Sequence, residues 1–489
     1  MIELTPAEIA SACSARLVHG DLESHPRDRP RRASVDSRAV EEGDLFFGLA
    51  GEHAHGGTFA ADALRAGGWG VVVGPAHETE AVAAAPPAAR VFVATDPLAA
   101  LGGLASRWLS ALRAGGCRVI GVTGSTGKTS TKDILFSILG PATDGRVHAN
   151  RENWNTEVGL PLTVLEAEEG VELMVLEMAM RGMGQIGELA RIARPEVGVI
   201  TNVGPVHLAL VGTLERVAEA KAELIAELPG GAACVVPAAE EALYPHLRRD
   251  VRTVTFAQWE DLDGDALSQA AAVAGAAADV RALSVEPVKH GLRAEIAAGS
   301  ERATFELGFP QAHNVTNTLA AIGAAHALGI PLEALTEGAR NVSFSSLRGE
   351  ELELPGGVLI INDCYNANPV SMRAALDHLA QVAARRGAAR AVAVLGEMRE
   401  LGPEAERYHE EIGRHAAGTA SMLIAVGEVA DAYERGYAGA GETIQAAEAA
   451  DAADLVRDVV RSGDVVLVKA SRAVGLERVA EALVSENDG

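Results

Sequence analysis

G-V-T-G-S-T-G-K-T, Gly121 to Thr129, joins an apolar run, Arg118 to Val122, to a stretch of helical spacing that begins near Lys128. A glycine-rich turn between a strand and a helix can curl its backbone N–H groups around phosphate oxygens, with the positive end of the helix dipole behind them. On that reading Gly124, Ser125, Thr126, Gly127 and Ser130 surround the phosphates of ATP. Lys128 reaches the β- and γ-phosphates, and the Thr129 hydroxyl holds Mg²⁺. The full G-x-x-x-x-G-K-[ST] spacing fails, because Val122 stands where the first glycine belongs. The shorter G-x-x-G-K-T remains. The competing reading is a glycine turn that binds nothing.

Working outward from this loop, apolar runs at Leu173 to Leu176 and Val197 to Thr201 read as buried strands, with helical patterns between them. Alternating strands and helices imply a parallel sheet covered on both faces. Upstream, short apolar runs at Leu45 to Leu49, Val71 to Val73 and Val91 to Ala94 imply a small α/β domain ending near Ser110. Ala81 to Arg90, with Pro86 and Pro87, reads as a loop. The Ala-rich stretch Ala266 to Ala298 is ambiguous, and a helix at Val315 to Ala327 closes the central pattern. After Asn341 the alternation restarts. Strands read at Val358 to Asn362, Ala391 to Leu395, Leu423 to Val426 and Val465 to Val468, with helices near Ser371, Pro403 and Ala449. The expected fold class is α/β in three domains: 1–110 small α/β, 111–341 a central parallel-sheet domain with the phosphate loop, and 342–489 a Rossmann-like doubly wound domain.

A chain of 489 residues fits three domains of roughly 150 residues each. The formal net charge of -25 argues against nucleic acid and anionic membrane surfaces as partners. It leaves room for a small anionic ligand in a locally basic pocket. Cys13, Cys117, Cys234 and Cys364 are far apart, which excludes a zinc cage or a disulfide framework. The first ten residues do not read as a signal peptide, and no apolar run is long enough to insert in a membrane. A cytoplasmic monomer is expected. Of the five lysines, three (Lys128, Lys221 and Lys469) fall at candidate sites.

Glu177 ends the run L-M-V-L-E, where open α/β sheets place their ligands. A carboxylate there can hold Mg²⁺, or can be simply the first solvated residue after a strand. Lys221 shares a helical stripe with Leu214, Val217, Ala218, Leu224, Ile225 and Leu228. A lysine there must snorkel, pair or be chemically special. His207 follows another strand end, after Asn202 and Gly204. Asp363 ends V-L-I-I-N and precedes C-Y-N-A-N-P, in which Asn366 and Asn368 suit a base or ribose, or serve as turn residues before Pro369. Lys469, Ser471 and Arg472 follow the last strand. A solvated basic turn is the plain alternative there. Cys364, beside the expected nucleotide, is open to oxidation if accessible.

Taken in order, these segments resemble the Mur ligase family along the whole chain. D-S-R at Asp36, Ser37 and Arg38 with G-D-L-F-F at Gly43 to Phe47 resembles its UDP-binding domain, and T-G-S-T-G-K-T its phosphate loop. Asn155 with G-L-P at Gly159, L-E-M at Leu176, T-N-V-G-P-V-H at Thr201, A-K-A-E at Ala220 and H-N-V-T-N at His313 follow. Y-N-A-N-P-V-S-M, Tyr365 to Met372, resembles the branch that adds D-alanyl-D-alanine. L-G-E-M-R-E-L-G at Leu395 and K-A-S-R at Lys469 support it.

The resemblance implies an ATP-dependent ligase that joins UDP-N-acetylmuramoyl-tripeptide to D-alanyl-D-alanine through an acyl phosphate. It would serve peptidoglycan precursor synthesis in the cytoplasm and release ADP and phosphate. Lys128, His207 and Lys221 would be catalytic. Thr129, Glu177, His207 and a Lys221 carbamate formed from CO₂ would hold Mg²⁺. Asn314, Arg348, Asp363, Asn366 and Asn368 would contact the nucleotide. Asp36, Ser37 and Arg38 would bind the UDP substrate, and Lys469, Ser471 and Arg472 the second substrate. Ala470, Ala179, Ala209 (where an acidic residue is common) and the order Arg348-Gly349 depart from the family pattern. Rival readings are a sister ligase adding diaminopimelate, lysine or folate-linked glutamate, and a nucleotide-binding switch without ligase activity. The D-N-P-R motif of the amino-acid-adding Mur enzymes is absent.

Overall fold

The computed structural model describes residues 4–22, 28–257 and 277–485. Three sheets follow one another along the chain. The first has five strands in the spatial order Arg16–His19, Arg90–Val93, Gly70–Val73, Leu45–Phe47, Ala33–Ser34. Only the pairing of Arg16–His19 is antiparallel.

The central sheet has nine strands. Arg118–Thr123, which feeds the glycine loop, lies between Leu173–Glu177 and Val197–Ile200 and is parallel to both. All three strands are buried except at Arg118, which opens the first of them. Continuous apolar composition is what a strand covered on both faces requires. Their carboxyl ends therefore deliver Thr123, Glu177 and Thr201 to one edge.

The expectation of a parallel central sheet holds from Val147–Ala149 across to Val280–Val288 and fails beyond it. Val280–Val288, Gly291–Ala298 and Glu301–Leu307 form an antiparallel meander. The last of them, Glu301–Leu307, alternates buried and exposed residues, so one of its faces is solvated. The first part of the ambiguous Ala-rich stretch lies outside the described residues, and the remainder is strand. The segment expected to be a loop, Ala81 to Arg90, begins inside a helix, Glu78–Ala84, whose Ala81 is fully buried. The helix stops there because Pro86 disfavours helical backbone at Ala85.

The third sheet runs Glu350–Leu354, Val358–Asn362, Val465–Lys469, Ala391–Leu395, Met422–Val426, Glu442–Ala446. It is parallel except for its first, edge strand. Two apolar clusters, one on each face, are built from buried residues from Val358 onward, with Leu352 and Leu354 packed against one of them.

The first two sheets are not independent in the same way. Helix Pro97–Ala114 spans the boundary expected at residue 110. Asp96 caps it, accepting from Leu98 and Ala99 N–H, and Pro97 supplies a preset backbone angle at the first position. Its buried face, with Leu101, Leu104, Trp108, Leu109 and Leu112, joins one apolar cluster that also holds Phe47 and Phe92 of the first sheet and Val119 and Leu176 of the second. The Trp108 indole N–H donates to Ala167 O at 3.0 Å. Among the described residues no helix is long and apolar enough to cross a membrane.

Candidate active site

The loop is held open by close approach. Gly124 has φ of 149° and Gly127 has φ of 73°, both positive. A Cβ on Gly124 would lie 1.9 Å from Thr201 Oγ1, and one on Gly127 would lie 2.2 Å from Asn317 Oδ1. Only glycine meets both demands. Asn202 then pins the turn. Its Oδ1 accepts from Thr126 N–H at 2.9 Å, and its carbonyl accepts from Ser125 N–H at 3.1 Å. The Ser125 hydroxyl accepts from Gly204 N–H at 2.9 Å. Asn202 and Gly204 thus serve the loop from the next strand.

Lys128 opens helix Lys128–Ala142. Its Nζ donates to Gly124 O at 2.8 Å and to Ser125 O at 3.3 Å. Burial pulls its amine below the ordinary lysine value. The Glu177 carboxylate works against that shift, and Arg348 adds to it. Thr129 Oγ1 donates to Glu177 Oε2 at 2.7 Å, and Asn155 Nδ2 donates to Oε1 at 2.8 Å. Glu177 is 1% exposed, so it is not a solvated strand end. Its backbone is also gripped, since Glu177 N–H donates to Asn150 Oδ1 at 2.5 Å. The buried Lys132 in turn donates to Asn150 O at 3.0 Å.

This edge opens into a cavity of about 960 Å³ between the second and third sheets. Ser125 to Ser130, Glu177, His207, Asn314, Arg348, Asp363, Asn366, Asn368 and Lys469 all line it. Gly124, Lys221, Ser471, Arg472 and Asp36 to Arg38 do not. Arg348 spans the cavity wall. Its Nη2 donates to Thr129 Oγ1 at 2.7 Å, and its guanidinium sits 3.9 Å over the Tyr365 ring. Asn314 accepts from Asn317 Nδ2 at 2.8 Å. Asn368 caps helix Pro369–Arg386 in a reciprocal arrangement with Ser371, so the Y-N-A-N-P turn places it as well as exposing it to the cavity.

Lys469 donates to Asp363 Oδ2 at 2.6 Å and to Asn366 O at 2.9 Å. Beyond it the basic run turns away from the cavity. Ser471 Oγ accepts from Arg399 N–H at 2.9 Å, and Arg472 pairs with Glu477 at 2.8 Å. Asp36 and Arg38 pair with each other on the first sheet, and the Arg38 guanidinium holds the Asp36 carboxyl down at about 2. Cys364 is 1% exposed and burial pushes its thiol far up, so the anticipated oxidation site is closed.

Lys221 lies on helix Leu214–Glu227 and is 1% exposed. It does not snorkel. Among the described residues no hydrogen bond or ion pair engages its amine. Burial drives its pKa well below the ordinary value of 10.5, with the charge of Lys128 adding to that and Glu177 and Glu223 opposing it. His207 has φ of 54°, and its Nδ1 contacts the Glu400 carboxylate of the third sheet's unit. Burial pulls its imidazole below the ordinary value, against its hydrogen bond to Glu400. Among the described residues no group of three or more His, Cys, Asp or Glu side chains gathers as a metal cage. The Thr129 hydroxyl and Glu177 carboxylate form an all-oxygen pair, which suits a hard cation such as Mg²⁺.

Asn150, Asn202, Asn317 and Glu400 are site residues to which the sequence reading gave no role, although the last three fall inside the motifs it quotes. The asparagines' one signal is position, since Asn150 and Asn202 follow short apolar runs at strand ends and Asn317 follows Asn314 at helical spacing.

A phosphate loop facing a second doubly wound unit across one cavity defines an ATP-type α/β ligase. Residues 122–325 match the Mur ligase middle domain, and residues 348–472 match the Mur ligase glutamate ligase domain. The chain is 35% identical to UDP-N-acetylmuramoyl-tripeptide–D-alanyl-D-alanine ligase of Mycobacterium tuberculosis, covering 100% of this chain and 99% of that one. It resembles the crystal structure of MurF from Acinetobacter baumannii with TM-score 0.82 and 26% identity over 98% of each chain. The MurF ligase from Thermotoga maritima in complex with ADP gives TM-score 0.77 and 28% identity over 94% of this chain and 99% of that one. The chain belongs to the Mur ligase family, as its motifs led us to expect, and is a ligase rather than a nucleotide-binding switch.

Proposed function

We propose that the chain uses ATP to join the carboxylate of UDP-N-acetylmuramoyl-tripeptide to the amine of D-alanyl-D-alanine in the cytoplasm. The carrying observation is the single cavity that holds the loop, Glu177 and the Asp363–Lys469 pair together. The full-length similarity to enzymes of that name supports the substrate assignment. We place the UDP moiety at Asp36, Ser37 and Arg38 on the first sheet, and assign residues 1–110, 111–341 and 342–489 to UDP substrate, ATP and incoming amine.

A carboxylate has no leaving group. Its oxygen attacks the γ-phosphorus of ATP, ADP departs, and an acyl phosphate results. The amine nitrogen attacks the acyl carbon, loses a proton, and phosphate leaves as the amide forms. Lys128 and the N–H groups of the loop stabilise charge on the transferred phosphoryl oxygens. Arg348 orients the Thr129 hydroxyl, and Asn314, Asn366 and Asn368 hold the nucleoside. Thr129, Glu177 and His207 would hold Mg²⁺, which supplies charge neutralisation at the phosphates. A neutral, desolvated Lys221 amine would attack CO₂ to form an N–C bond and lose a proton, and the resulting carbamate would offer the cation a further anionic oxygen.

The test measures phosphate release from ATP with UDP-N-acetylmuramoyl-tripeptide, with and without D-alanyl-D-alanine. Release that depends on the dipeptide is expected. Release indifferent to the dipeptide but driven by diaminopimelate, lysine or glutamate would replace this assignment with a sister ligase.

A further inference from the structure

Two segments from different sheets meet at His207. The histidine follows the strand Val197–Ile200 of the central sheet, and Glu400 follows Ala391–Leu395 of the third. The Glu400 carboxylate contacts His207 Nδ1, and the Glu400 carbonyl accepts from Ala209 N–H at 3.1 Å. Both His207 (φ 54°) and Glu400 (φ 64°) hold left-handed backbone, which bulky residues adopt only when their surroundings enforce it. Gly402, two residues on, packs so closely that an added Cβ would lie 3.2 Å from Ala209 Cα. The contact is thus seated by backbone on both sides. Ala209, two residues after His207, offers it no carboxylate.

A carboxylate only accepts hydrogen bonds, so the contact keeps the ring proton on Nδ1 and leaves the Nε2 lone pair available. His207 lines the cavity that holds Thr129 and Glu177. Metal-binding histidines are oriented in the same manner, by a carboxylate on the ring nitrogen that does not bind.

We infer that Glu400 is the positioning residue for His207, supplied from the third sheet's unit, so that His207 is set for a divalent cation only while that unit is docked. This rests on the ligase reading above, and deepens it by assigning the carboxylate behind His207 to a different part of the chain. Glu400 does not itself line the cavity. It acts through the histidine.

Glu400→Ala and Glu400→Gln in the full chain separate the possibilities. Glutamine keeps an oxygen that accepts from Nδ1–H, and alanine does not. Nitrogen-15 histidine spectra, with His207 assigned by its loss in His207→Asn, read the tautomer directly. The expected result is an Nδ1–H ring in the parent and in Glu400→Gln, and loss of that preference in Glu400→Ala. Mn²⁺ binding in the presence of a non-hydrolysable ATP analogue should weaken by about 10–100-fold in Glu400→Ala and recover largely in Glu400→Gln. An unchanged tautomer and unchanged Mn²⁺ affinity in Glu400→Ala would overturn the inference. Neither readout needs turnover, so a chain inactive on the proposed substrates would sink the substrate assignment and leave the Glu400 result standing.

Discussion

Lys221 and Lys469 are equally buried, each 1% exposed, and have opposite surroundings. Lys469 ends a strand of the third sheet and is held by Asp363 Oδ2, Asp363 O and Asn366 O. Lys221 sits on an apolar helix stripe with no bonded partner among the described residues. Burial alone therefore does not tell what a lysine is for. Where donors are satisfied, the ammonium is a fixed cation that organises a turn. Where they are not, desolvation favours the free amine, the nucleophilic form.

The widest separation should come from Lys221→Ala. We expect ligase activity to fall by more than about 100-fold, exceeding the 10–100-fold typical of residues behind a metal site. Short carboxylic acids should restore part of it, and parent activity should fall when CO₂ is stripped from the buffer. Parent activity indifferent to CO₂ would remove the carbamate from the mechanism.

The same amine makes a stability prediction with a definite sign. Its folded pKa lies below the ordinary 10.5, so in that window the folded chain binds fewer protons than the unfolded one. In CO₂-free buffer, stability should rise with pH up to 10.5, and Lys221→Met should abolish that slope. Lys469→Met should instead destabilise the fold by removing the partner of Asp363. Stranding Asp363 should cost about 3 kcal/mol in denaturant unfolding, and adding Asp363→Asn should return most of it. Equal effects of the two methionine substitutions would erase the contrast between the sites.

A smaller effect is expected from Lys132→Met, which releases the Asn150 carbonyl and so loosens the grip on Glu177. We expect about a tenfold higher Mg²⁺ requirement with little change in the KM for D-alanyl-D-alanine. Smallest of all is Cys364. A thiol reagent should label it only as fast as the chain unfolds, and Cys364→Ala should leave ligase activity intact.

Much of this was legible in the order of residues. Runs such as Val358 to Asn362 and Val465 to Val468 announce themselves because a strand buried on both faces must be continuously apolar. The meander from Val280 to Leu307 did not, because half its positions face solvent and its alanines suit helices equally well. Glu177, Lys128 and Thr129 stand out in the sequence because a strand end and a loop mark their positions, and the structure gathers them at one cavity. The parts played by Asn150, Asn202 and Glu400 were not legible because each acts on a residue far away in sequence. The Glu400–His207 contact spans 193 positions. Lys469, Ser471 and Arg472 looked like one basic run. The chain leaves the sheet between them, which sends the first into the cavity and ties the others to Arg399 and Glu477.

Helix Pro97–Ala114 has a further consequence for how the chain melts. Because its apolar face fuses the first two sheets into one core, those sheets should lose structure in a single cooperative step, while the third, with cores of its own, melts separately. Calorimetry should then resolve two transitions from three sheets. A ligand that binds only the first sheet should raise the melting temperature of the sheet that carries the glycine loop, by mass action through a shared interior rather than by any contact with the loop.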